Sequence, residues 1–82
     1  MNQIELVDFV DKNSRAEIVG FKCDTEATCL MVERLKEMGL YEGLMLEYLG
    51  QAPFGGPLLY RFSGTVVALR VEEARCLQVI KI

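Results

Sequence analysis

Residues 58–71, LLYRFSGTVVALRV, hold two short runs of aromatic, β-branched and leucine residues separated by the pair Ser63-Gly64. A gap of two small residues between such runs is the spacing of a tight hairpin turn, so the stretch predicts strands at Leu58–Phe62 and Thr65–Val71. A lone hairpin is barely stable in water and needs further strands to cover its apolar face. The flanking sequence supplies them. Downstream, LQVIKI at Leu77–Ile82 reads as a strand, reached through EEARC, Glu72–Cys76, which reads as one helical turn. Upstream, LMLEYL at Leu44–Leu49 and AEIVGFKC at Ala16–Cys23 read as two more. In the latter, Val19, Phe21 and Cys23 share one face and Ile18 and Gly20 the other, and Gly20 inside a strand points to close packing or a bulge.

The one long helix lies between the first two of these five strands. Asp24 or Thr25 is placed to cap it at Glu26, and Ala27, Met31, Leu35 and Met38 repeat at helical spacing. Gly39 supplies the left-handed residue that closes a helix, and Leu40 can fold back on Leu35 as in a Schellman motif. Gly43, in the following YEG, is free to take a positive φ in a turn. The pattern is a mostly β chain with one helix inserted between strands 1 and 2. Five short strands in a flat sheet would leave exposed edges, so the expected architecture is a small closed barrel, SH3-like or OB-like.

At 82 residues the chain forms a single domain, 1–82, and buries about 60–65% of its unfolded surface. A hydrophobic share of 51% with 26% charged residues belongs to a folded chain. The opening MNQIELVDFVDKNS carries acids where a secretory signal carries Lys or Arg, and no apolar run reaches the length of a membrane span, which predicts a cytoplasmic protein. Three cysteines, Cys23, Cys29 and Cys76, leave one unpaired in any scheme, so reduced, small, buried hydrophobes are expected at all three.

The catalytic inventory is thin. There is no His, the commonest general base and metal ligand, and Ser14 and Ser63 sit in turns. Cys23 and Cys29 are six apart without a C-x-x-C, so no metal site is expected. Glu72 and Glu73 diverge on a helical turn and read as a solvated helix start. No enzyme and no cofactor follow from this set. The net charge of −3 and the scattered basic residues argue against a nucleic-acid partner, unless the fold gathers Arg61, Arg70 and Lys81. An RNA-binding barrel would draw on Tyr60, Arg61 and Arg70.

The stretch QAPFGGPL, residues 51–58, is the most constrained loop. Pro53 and Pro57 fix φ and remove donors, whereas Gly55 and Gly56 permit backbone angles closed to other residues, so the loop is stiff. Phe54 at its tip either plugs the open end of the barrel or faces a partner, with Tyr41 and Tyr60 as the neighbouring contact residues.

Several segments, in order, resemble the FeoA family, small cytosolic companions of the bacterial ferrous iron transporter with an SH3-like barrel. They are IVGF, then RLKEMGL, then the glycine of YEG, then QAPFGGPLLYRFSGTVVALRVEEA, and the likeness runs from about Leu6 to Ile80. Met38-Gly39-Leu40 matches the family's helix end, with Glu42-Gly43 in place of its Pro-Gly, and Ala52–Pro57 matches its Ala-Pro-Leu-Gly-Asp-Pro loop, with Gly56 where Asp is frequent. Ala68–Ala74 resembles the family's strand, Arg and acidic turn, and Asp11–Ser14 replace a common Pro-Gly near the start. The resemblance implies an accessory or regulatory protein that contacts the cytosolic region of a ferrous iron transporter bearing a G-protein domain, touching the membrane only through that partner. The alternative it leaves is the SH3-like module of metal-dependent transcriptional regulators, which the family's domain also resembles, although 82 residues leave no room for the helix-turn-helix domain that such a module follows.

Overall fold

A computed structural model describes residues 3–82, so residues 1 and 2 of the expected domain lie outside it. Its strands are β1 (Ile4–Glu5), β2 (Arg15–Phe21), β3 (Met45–Gln51), β4 (Leu58–Phe62), β5 (Thr65–Leu69) and β6 (Leu77–Lys81). Helix α1 spans Glu26–Glu37 and the single turn α2 Val71–Ala74, with a 3-10 turn at Leu6–Asp8. All strand pairings are antiparallel, in the order β1-β6-β2-β3-β4-β5.

Two expectations need correction. The described residues form six strands, because β1 adds to the outer edge of β6 through Ile4↔Val79 and Glu5↔Gln78. A two-residue strand carries no alternation that a sequence could display. The sheet is also open, since no ladder joins β5 to β1 among the described residues. It nevertheless curls around one core, which takes Ala16 and Ile18 from β2, Leu46 and Tyr48 from β3, Leu58, Tyr60 and Phe62 from β4, Leu69 from β5, and Leu77 and Val79 from β6. Register shifts at Ile18/Gly20 and Tyr48/Gly50 supply local bends. A Cβ on Gly20 would stand 3.1 Å from Gln78 Oε1, so that glycine serves both a bulge and a close approach.

Helix α1 begins at Thr25. Its Oγ1 accepts the Thr28 N–H at 3.1 Å, and the Thr25 N–H donates to Thr28 Oγ1 at 2.9 Å, a reciprocal cap. The helix stops as its sequence requires: Gly39 takes φ +100°, the Gly39 N–H donates to the Lys36 carbonyl, and the Leu40 N–H to that of Leu35. Leu35 and Leu40 are both buried, completing the motif's apolar contact. The buried stripe of α1 is Met31, Val32 and Leu35, with Ala27 exposed. Ser63 and Gly64, at φ +51° and +75°, turn β4 into β5. No helix among the described residues is long and apolar enough to cross a membrane.

Candidate functional site

The loop between β3 and β4 holds itself in place. The Ala52 N–H donates to the Pro57 carbonyl at 2.9 Å, the Gly56 N–H is shared between the carbonyls of Ala52 and Pro53 at 3.2 and 3.3 Å, and Gln51 Nε2 donates to the Gly56 carbonyl at 2.9 Å. Gly56 is there for space, since a Cβ would lie 2.9 Å from that of Ala52 and 3.1 Å from the Pro53 carbonyl oxygen. Phe54 and Gly55 both take positive φ, +61° and +71°. For Gly55 this costs little, but for a bulky L residue the left-handed region costs about 1–2 kcal/mol. Phe54 gains no burial in return: its relative exposure is 106%. The ring is not a plug.

Tyr41, 58% exposed, follows the Gly39 helix stop and precedes the turn at Gly43, φ +96°. It lines a groove of about 400 Å³ with Phe21, Lys36 and Leu40, where Lys36 Nζ sits 5.0 Å from the centroid of the Phe21 ring. Gly55, Gly56 and Pro57 border a separate groove of about 410 Å³ with Ala68, Arg70 and Glu72. Phe54 and Tyr41 do not line a common groove.

Tyr60 is a correction. Its relative exposure is 0%, so it offers no surface to a partner or a base. As the middle residue of β4 it alternates inward with Leu58 and Phe62, and its ring packs on Tyr48 with centroids 5.6 Å apart, Tyr48 in turn meeting Phe9 edge-on. No protein group hydrogen-bonds the Tyr60 hydroxyl among the described residues. Burial, reinforced by Tyr48, pushes its phenol well above the ordinary tyrosine range.

The cysteines divide. Cys23 and Cys29 form a disulfide across the start of α1, with Cα atoms 4.5 Å apart, and Cys23 is exposed, against the expectation of three reduced, buried thiols. Cys76 alone is free and buried, and burial, then Asp24, raises its thiol above the ordinary value of 9.0. Its Sγ lies 3.9 Å from Met31 Sδ. Glu73 also departs from the sequence reading: Glu72 is solvated, but Glu73 is buried, accepts the Arg70 N–H at 2.9 Å, and lies 4.0 Å from Arg34. A carboxylate at the third position of a helical turn reaches back to the residue before it, and that geometry, visible as Arg70–Glu73, was the missed signal.

The basic residues do not gather. Arg61 on β4 pairs with Glu47 at 3.3 Å, and Lys81 on β6 pairs with Asp11 at 2.7 Å, two intervening strands away. Among the described residues no three His, Cys, Asp or Glu side chains converge as a metal cage.

A family model described as the FeoA domain matches residues 6–81. The fold is that of an FeoA-like protein from Clostridium acetobutylicum, with a TM-score of 0.83 at 24% identity, covering 100% of this chain and 90% of that one. FeoA of Stenotrophomonas maltophilia, solved with zinc and described as a prokaryotic SH3 domain protein and a candidate ferrous iron transport activating factor, is 28% identical over 94% of this chain and 89% of its own, with a TM-score of 0.75. A manganese-dependent transcriptional repressor shares the fold at a TM-score of 0.83 and 17% identity, with 100% of this chain covering 38% of the repressor. No curated protein is significantly similar in sequence.

Proposed function

This chain belongs to the FeoA family, SH3-like accessory proteins of ferrous iron transport, and we propose that it works in the cytoplasm, without catalysis or a cofactor, by contacting the cytosolic G-protein region of a ferrous iron transporter. The observation that carries this reading is Phe54: a fully exposed aromatic ring in left-handed backbone, on a loop whose own hydrogen bonds fix that conformation. Strain without packing benefit supports a role outside the fold, and a preset aromatic loses little entropy on docking. Tyr41 is a second contact in this reading, at its own groove.

The repressor likeness supports a shared fold, and the RNA alternative loses Tyr60 to the core and Arg61 to Glu47. Titrating the transporter's cytosolic region against wild type and Phe54→Ala tests the proposal. The expected outcome is a loss of about 1–3 kcal/mol in affinity with the melting temperature within a few degrees of wild type. Equal affinity of the two proteins would overturn it.

A further inference from the structure

The first turn of α1 is held by covalent and hydrogen bonds rather than by packing. Glu26, Ala27 and Leu30 are exposed, Leu30 at 60%, and the stripe that meets the core begins only at Met31. This end is anchored by the Thr25–Thr28 cap and by the Cys23–Cys29 disulfide, which ties the helix to the segment leaving β2. The two sulfurs are placed unequally. Cys23 is exposed in the connecting segment, whereas Cys29 is half-buried in the first turn. An attacking thiolate therefore reaches Cys23, and the positive end of the helix favours the negative charge that Cys29 takes as the leaving group. The segment inside the disulfide also forms a wall. Asp24 and Thr28 line a groove of about 270 Å³ with Met31, Arg75 and Cys76, and the buried Cys76 thiol lies 3.9 Å from Met31 Sδ.

We infer that the Cys23–Cys29 disulfide is a reducible clasp, opened by a dithiol in the folded protein, whose release loosens the first turn of α1 and uncovers Cys76. A thiolate of the dithiol attacks Cys23 Sγ, the Cys23–Cys29 bond breaks as the new S–S bond forms, and Cys29 leaves as a thiolate. The two Cα atoms stand 4.5 Å apart, so Cys29 stays within reach to close the ring again and expel a monothiol. A dithiol escapes that reversal: its second thiol attacks its own sulfur in the mixed disulfide and releases Cys23. The protein gains two electrons, the dithiol becomes a disulfide, and its two protons end on Cys23 and Cys29. Disulfides of a reducing cytosol are mostly transient and redox-sensing, so the proposed localisation supplies the reductant. Nothing in the exchange requires the transporter, and the purified chain tests it separately from that contact.

Exchange and labelling on the oxidised whole protein test the clasp, with dithiothreitol as the dithiol and 2-mercaptoethanol as the monothiol. At equal thiol concentration dithiothreitol should bring the pair to full reduction ~10-fold or more faster, at a rate unmoved by low urea, the mark of a reaction in the folded state. Reduction should then let iodoacetamide reach Cys76 ~10-fold or more faster, again independently of low urea, and Cys23→Ser with Cys29→Ser should show the fast rate without any reductant. Hydrogen exchange on wild type guards against a double variant that fails to fold. The Thr28 and Cys29 amides, both bonded to Thr25, should exchange ~10-fold or more faster once the pair is reduced. A reduction rate that climbs with urea, equal rates for the two thiols, or Cys76 labelling or Thr28 and Cys29 exchange indifferent to the state of the pair would each overturn the clasp.

Discussion

Tyr60 and Phe54 are opposites that a sequence lists side by side as aromatics. Strand alternation turns Tyr60 inward with Leu58 and Phe62, whereas Phe54 sits where no strand period applies. The period was readable from LLYRF; that it puts Tyr60 and not Leu59 against the core depends on which face the sheet curls toward, a tertiary fact. The Tyr60 hydroxyl is enclosed without a partner among the described residues. Tyr60→Phe keeps the ring and removes the orphaned oxygen, so unfolding stability should be unchanged or rise by up to about 1–2 kcal/mol. Urea titration measures it, and a loss larger than about 1 kcal/mol would mean that the hydroxyl is satisfied in solution.

Helix α1 was the most legible element. Glu26 as the first residue and Gly39 with Leu40 as the stop follow from local chemistry and stand where the sequence placed them, and of the two caps the sequence offered, Asp24 and Thr25, the helix uses Thr25. The disulfide was not legible, because a spacing of six says nothing until the chain turns from β2 into the helix and brings Cys23, two residues before the cap, over Cys29 in the first turn. It closes a small loop, so replacing Cys23 and Cys29 by Ser should cost about 2 kcal/mol by the loop-entropy estimate under oxidising conditions. Adding reductant should then lower the melting temperature of wild type and leave the double variant unmoved. The Thr25–Thr28 cap remains in both, so the helix should persist by circular dichroism.

At the scale of the whole molecule, the five strong strands and their curled core were foreseeable from periodicity, but the sixth strand and the open edge were not, since both depend on which segments meet at the rim. The same core makes stability depend on alkaline pH. Cys76 and Tyr60 hold their protons above the ordinary values of 9.0 and 10.0, so the unfolded chain releases protons that the native state keeps. Stability is therefore complete below about pH 9 and falls as pH rises beyond it. Urea midpoints should decline from there, with Cys76→Ala delaying the onset toward the tyrosine range. The account's central claim is that Phe54 carries backbone strain for the sake of a partner, and Phe54→Gly tests it most directly, because glycine removes the ring and relieves the φ of +61° together. Melting temperature and affinity for the transporter's cytosolic G-protein region should move in opposite directions on one sample: stability equal or higher by up to about 1 kcal/mol, and affinity weaker by ~10-fold or more. Undiminished affinity, or a marked loss of stability, would contradict it.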